Sequence, residues 1–122
     1  MKILVVDDEL DVELLFNQQF RKEIKSGELQ AIYAHSGFEA LSLLGRSDVA
    51  DVEMLLSDIN MPGMSGYDLL EQVKKNRPEL PVYMVSAYHD DNNIKRAIDT
   101  GALGLVPKPV DFKSLREIIF QH

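Results

Sequence analysis

The stretch Met54-Leu55-Leu56-Ser57-Asp58-Ile59-Asn60-Met61-Pro62-Gly63-Met64-Ser65-Gly66-Tyr67-Asp68 sets out one unit of the fold. Its first three residues are continuously apolar, as in a strand covered on both faces. Polar Ser57 and Asp58 end that run. Ser65, followed three residues later by Asp68, has the form of a capping box and opens a helix through Leu69, Leu70 and Val73, which Pro78 stops. Reading outward in both directions finds the unit repeated. Ile3 to Val6, Val82 to Val85 and Leu103 to Val106 are further apolar runs, and Leu29 to Ala34, broken by Gln30 and Tyr33, suits an edge strand.

Helical spacing fills the intervals. Val12, Phe16, Phe20 and Ile24 recur every four residues and predict a single helix ended at Ser26-Gly27. Ser36 and Glu39 predict a second capping box, ahead of Ala40, Leu41 and Leu44. Ile94, Ala97 and Ile98 predict a fourth helix capped by Gly101, and Leu115, Ile118 and Ile119 a last one from about Asp111. Five strands alternating with helices, joined by right-handed crossovers, imply an α/β doubly wound parallel sheet. The flavodoxin-like order 2-1-3-4-5 is the expected arrangement, with ligands bound at the carboxyl ends of the strands.

Composition narrows the function. A chain of 122 residues suits one domain, expected over residues 1–122. With 20 acidic against 13 basic residues the formal charge is −7, which repels nucleic acid and anionic membranes, so neither is an expected partner. Cysteine is absent, which excludes a thiolate metal site and a Cys nucleophile and fits a cytoplasmic location. No apolar stretch approaches the ~18 residues of a membrane span. Walker-type and dinucleotide-binding glycine loops are missing. His35, His89 and His122 have no metal or catalytic spacing and read as solvated surface, and the five methionines as core or loop filling.

The polar residues at the run ends share one edge of the sheet. Asp7 and Asp8 follow the first run, Ser57 and Asp58 the third, Ser86 the fourth, and Lys108 lies just past the fifth. Neighbouring first and third strands would hold Asp8 and Asp58 on strand ends only ~4.8 Å apart. At about 4 Å each like-charge pair costs roughly 1 kcal/mol in water and roughly 4 kcal/mol at an effective dielectric of 20. A hard divalent cation compensates best, and magnesium suits one or two carboxylates combined with a phosphate. Each residue also has an ordinary structural reading, as turn former, helix cap or solvated lysine. Three acids, a hydroxyl and a cation on one rim together make a phosphate site.

These residues resemble the receiver domains of bacterial response regulators over essentially the whole chain. The segments Ile3 to Glu9, Leu55 to Gly66, Val85 to Ala87 and Lys108-Pro109 occur in that family's order and spacing. The resemblance implies a phosphorylation-dependent switch of two-component signalling, with Asp58 as phosphoacceptor from a histidine kinase or phosphotransfer protein. It implies Mg2+ held by Asp8 directly, Asp7 through water, Asp58, and the Asn60 carbonyl. Lys108 would pair with the acceptor and then with its phosphate, Ser86 would bond a phosphoryl oxygen, and the Ala87 amide would assist. The Lys108-Pro109 bond would be cis, and Asn60 and Tyr88 would tune phosphoryl lifetime. One departure stands out: Leu105 occupies the position of an aromatic that swings inward in many receivers. The signal then travels through backbone shifts after Ser86 and around Gly104, or the switch is weaker. The acidic pair preceding that aromatic in the DNA-binding subfamily that dimerises through this face is also absent, so that dimer is not expected. Two alternatives accompany the switch: a magnesium phosphohydrolase using Asp58 as nucleophile, and a receiver-shaped adaptor that needs no phosphate. A downstream protein or output domain is implied but not named by the sequence.

Overall fold

The computed structural model describes residues 1–121, all but Asp48 with their side chains. Five parallel strands form the sheet: β1 Lys2–Val6, β2 Gln30–Ala34, β3 Met54–Asp58, β4 Val82–Ser86 and β5 Gly104–Pro107. Their spatial order is β2-β1-β3-β4-β5, as expected of the flavodoxin-like class. β2, the least apolar strand, is at one edge, and Leu4 pairs with both Ile32 and Leu55 across β1. The strands extend slightly beyond the apolar runs, so that Asp58 and Ser86 are themselves the last residues of β3 and β4. Leu103 lies before β5 and is exposed.

Among the described residues there are six α-helices: α1 Leu10–Gln19, α2 Arg21–Ser26, α3 Gly37–Leu44, α4 Gly66–Asn76, α5 Asp91–Thr100 and α6 Phe112–Phe120. Successive strand residues point to opposite faces, and the core divides accordingly. Ile3, Val5 and Leu56 pack with Phe16, Phe20, Leu115 and Ile119, from the α1, α2 and α6 side. Leu4, Val6 and Leu55 pack with Ala40, Leu69, Leu70 and Ala97, from α3, α4 and α5. The first helix departs from the single stripe expected from Val12, Phe16, Phe20 and Ile24. At Phe20 the backbone leaves helical dihedrals (φ −106°, ψ 22°) and separates α1 from α2. The Gln19 carbonyl accepts a 2.9 Å hydrogen bond from Arg116 Nη2, and the same guanidinium meets Glu23 and lies 4.8 Å from the Phe20 ring centroid. A clamp from α6 thus occupies the break, and Phe20 stays fully buried. Ile98 also departs from expectation, being exposed on α5.

The caps position the helices that face the site. Ser65 and Asp68 form the full capping box at α4. Ser36 accepts from the Glu39 N–H, but the Glu39 carboxylate takes the N–H of His35 instead of closing the box. Gly101 ends α5 at φ 121°, a left-handed conformation that favours glycine. Gly66 matters for another reason: a Cβ there would collide with the Asp58 carbonyl oxygen and lie 2.7 Å from Ile59 Cα. Its N–H bonds the Ile59 carbonyl at 2.7 Å, so α4 begins directly against the end of β3. None of the described helices is long and apolar enough to cross a membrane.

Candidate functional site

Asp7, Asp8 and Asp58 converge where β1 and β3 end, each offering a carboxylate oxygen within 4.8 Å of the others. The first and third strands are neighbours, with Val6 opposite Ser57, which brings residues some fifty positions apart onto one rim. Asp7 and Asp58 are buried, whereas Asp8 is exposed. Asp7 is tied at both oxygens: Oδ1 accepts from the Glu9 N–H at 2.9 Å and Oδ2 from Lys108 Nζ at 3.1 Å. Lys108 also reaches Asp58 Oδ1 at 3.3 Å. One ammonium therefore bridges the two buried acids, and the Lys108-Pro109 bond beside it is cis.

The charges do not balance. Burial, followed by the Asp7 charge, raises the Asp58 pKa above the ordinary carboxylate value, and Lys108 only partly opposes this. Burial works to lower the Lys108 pKa, but Asp58 and Asp7 outweigh it and hold the ammonium above its usual range. The protein has thus gathered more negative charge than its own lysine offsets. Three oxygen-donor side chains around such a deficit fit a hard divalent cation.

The remaining residues close the rim. Ser86 is buried and its Oγ accepts from the Tyr88 N–H at 3.0 Å, while its carbonyl accepts from the Lys108 N–H at 2.9 Å. Ala87 and Tyr88 are exposed. Asn60 and Tyr88 line a polar cleft of about 390 Å³ with Ser65, Tyr67, Asn93 and Arg96. In that cleft Tyr67 donates its hydroxyl proton to Asn93 Oδ1 at 2.9 Å, and the Arg96 guanidinium lies 3.9 Å from the Tyr67 ring centroid. On the other side of Asp58 an apolar cavity of about 250 Å³ opens between Phe16, Leu56, Phe112 and Leu115.

The structure thus brings Asp7, Asp8, Asp58 and Lys108 together and sets Ser86 at the end of the adjoining strand β4. Leu105 is buried one strand away, opposite Met84. His89 is exposed, as expected, and His35 half-buried, but each also meets a backbone carbonyl. His35 Nδ1 lies 3.4 Å from the Asp7 carbonyl oxygen, and His89 Nε2 lies 3.0 Å from that of Leu105. His122 is outside the described residues. Neither histidine contact has a sequence signal, because each joins segments set side by side only by the sheet. The Glu9 contact was detectable, since an Asp side chain bonding the amide two residues on is a common turn device.

The family profile for the response regulator receiver domain matches residues 3–120. The chain belongs to that family. Response regulator protein PilR of Pseudomonas aeruginosa is 34% identical to this receiver domain over 120 residues, covering 97% of it but 25% of PilR. Sporulation initiation phosphotransferase F of Bacillus subtilis is 30% identical over 121 residues, covering 99% of the receiver and 92% of the relative. The receiver therefore spans about a quarter of one relative and nearly all of another. Among solved structures, a CheY-like receiver from Methanospirillum hungatei shares 28% identity at a TM-score of 0.84, covering 98% of this chain and 90% of that one. The receiver domain of the Francisella response regulator 1452 superposes at a TM-score of 0.86 over 98% and 93% of the two chains, its 23% identity speaking for the fold alone. A receiver domain is a signalling switch, and the acidic pocket of Asp7, Asp8 and Asp58 is compatible with Mg2+ and with aspartate phosphorylation.

Proposed function

We propose that Asp58 accepts a phosphoryl group from a phosphohistidine of a histidine kinase or phosphotransfer protein, and that residues 1–122 act as one switching domain. The observation that carries this is the buried Asp58 carboxylate, bridged to Asp7 by Lys108 and clustered with a further acid, Asp8. A carboxylate oxygen of Asp58 attacks phosphorus, the P–N bond breaks, and its electron pair returns to the donor imidazole. Lys108, 3.3 Å from the acceptor, stays beside the group and pairs with a phosphoryl oxygen. Asp8, Asp58 and the Asn60 carbonyl would hold Mg2+ directly and Asp7 through water, and the ion would supply charge neutralisation for the approaching phosphate.

Capture of the phosphoryl group is what switches the domain. The acyl phosphate adds about one negative charge and three acceptor oxygens, and the Ser86 hydroxyl, the Ala87 amide and Lys108 are the donors that take them. Moving a two-state equilibrium from 1:99 to 99:1 takes about 5.5 kcal/mol, which these contacts supply together in a partly dried pocket. Attack of water on phosphorus then releases inorganic phosphate and restores the carboxylate, a slow self-dephosphorylation tuned by Asn60 and Tyr88 on the cleft wall. The changed surface serves a downstream protein or output domain in the cytoplasm. The family match favours this switch over a phosphohydrolase, and retention of every phosphate-site residue favours it over a phosphate-independent adaptor.

Mass spectrometry after exposure to acetyl phosphate and Mg2+ tests the reading. The parent is expected to gain one phosphoryl mass and Asp58→Asn none. An equal gain in both proteins would place the acceptor elsewhere, and continuous turnover of the ester without a retained phosphoryl group would favour the hydrolase.

A further inference from the structure

Beyond the acids and Lys108, the structure holds a bond that ties the Ser86 loop to the neighbouring strand. β4 ends at Ser86 and α5 starts at Asp91, with Asp90 as its cap. Within the short connection the Tyr88 N–H turns back to the Ser86 hydroxyl. The next side chain, His89, reaches across to the carbonyl oxygen of Leu105 on β5 at 3.0 Å. A carbonyl only accepts, so Nε2 carries the proton.

Ser86 stands opposite Pro107, and its carbonyl accepts from the N–H of Lys108, one residue beyond β5, as the slanted bonds of a parallel ladder require. Where β4 and β5 pass the acid cluster, two bonds from outside the strands therefore help hold them together, one from Lys108 and one from His89. Leu105 itself has no ring to move. The loop grips its backbone rather than its side chain, which couples the Ser86 loop directly to β5.

We propose that His89 is a positioning residue for phosphoryl capture: its bond to the Leu105 carbonyl holds the Ser86–Asp90 loop in the resting arrangement, and the bond breaks when Ser86 moves onto the phosphoryl group. This rests on Asp58 being the phosphoacceptor. Removing the donor frees the loop and favours the captured state, whereas a glutamine at the same place keeps an N–H for the same carbonyl.

The test compares the parent, His89→Ala and His89→Gln in two measurements. Amide hydrogen exchange of residues 86–90 without ligand reads the clasp itself. Titration with beryllofluoride and Mg2+ reads its effect on capture. One neutral hydrogen bond corresponds to about fivefold in an equilibrium, so His89→Ala is expected to exchange about fivefold faster in this loop and to bind beryllofluoride about fivefold more tightly. His89→Gln is expected to stay near the parent in both. Unchanged exchange or unchanged or weaker affinity in His89→Ala overturns the clasp, as does His89→Gln behaving like the alanine variant. A parent that neither binds beryllofluoride nor gains mass from acetyl phosphate overturns the phosphoacceptor reading, and the capture role with it. A parent that loads normally while the alanine variant is silent overturns the clasp alone.

Discussion

Replacing Lys108 by alanine isolates the charge imbalance at the site. The ammonium lies 3.1 Å from Asp7 and 3.3 Å from Asp58, and at an effective dielectric of 20 each contact is worth roughly 5 kcal/mol before desolvation. The two acids repel one another across at most 4.8 Å, or roughly 3.5 kcal/mol and more on the same scale. Lys108 is 24% exposed at its side chain and Asp58 6%, so these are largely buried charges. Breaking such a pair while leaving one side charged typically costs about 3–5 kcal/mol, and we expect a loss of roughly 3 kcal/mol near about pH 7.5 without divalent cations. The pH dependence fixes the cause. Asp58 already has a folded-state pKa raised above its unfolded value, and removing the lysine raises it further. A raised carboxyl pKa makes the folded state bind the extra proton, so stability is greatest below the unfolded pKa and falls as pH rises through the folded one, by at most about 1.4 kcal/mol per pH unit. The defect in Lys108→Ala should therefore shrink steadily as the pH is lowered toward 5, and Mg2+ should reduce it at neutral pH by binding the folded form. Urea denaturation of parent and variant at several pH values, with and without Mg2+, measures both effects. A loss equal at every pH and indifferent to Mg2+ would refute the electrostatic account and leave only packing of the lysine stem.

Further outcomes follow from the same geometry. Asp58→Asn should be more stable than the parent in magnesium-free buffer at neutral pH, by roughly 1 kcal/mol, because burial and the neighbouring Asp7 charge, which raise the Asp58 pKa, disfavour its charged form; the difference should vanish as the pH falls below the unfolded Asp value, and a less stable Asn variant in thermal melts would contradict this. Gly66→Ala should cost about 2 kcal/mol or more, since its Cβ meets the backbone of Asp58 and Ile59, and should also slow loading from acetyl phosphate by displacing the acceptor; a neutral effect on both would show that α4 shifts freely. Arg116→Ala removes the cap on the Gln19 carbonyl and the contact with the Phe20 ring and should lower stability by about 1–2 kcal/mol, with amide exchange rising locally around residues 19–23 rather than across the sheet.

Much of this was legible before any coordinates. The apolar runs and capping signals fix the alternation of strands and helices, because buried parallel strands must be apolar along their whole length and helix starts need a side chain for their free N–H groups. The end of each run also shows which acids, hydroxyl and lysine lie at the carboxyl edge, and here the motif order carries the family. Local patterns were less informative where a distant partner decides the outcome. The stripe from Val12 to Ile24 is a sound helix pattern, yet α1 and α2 part at Phe20, where a guanidinium from residue 116 takes up a backbone carbonyl. Ile98 has helical spacing but faces outward, because the core cluster takes Ala97 and Ile94 from α5 and not its neighbour.

The sequence by itself determined the alternation of strands and helices, the acid-rich strand ends and the membership of the receiver family, all of which depend on residue type and spacing along the chain. Only the tertiary structure decided that one lysine bridges Asp7 and Asp58, that burial leaves Asp58 with a raised pKa, and that His89 grips the Leu105 carbonyl. Those features depend on distances between strands that are remote in sequence, and on how much water the packed helices exclude. Neither quantity exists until the chain has folded.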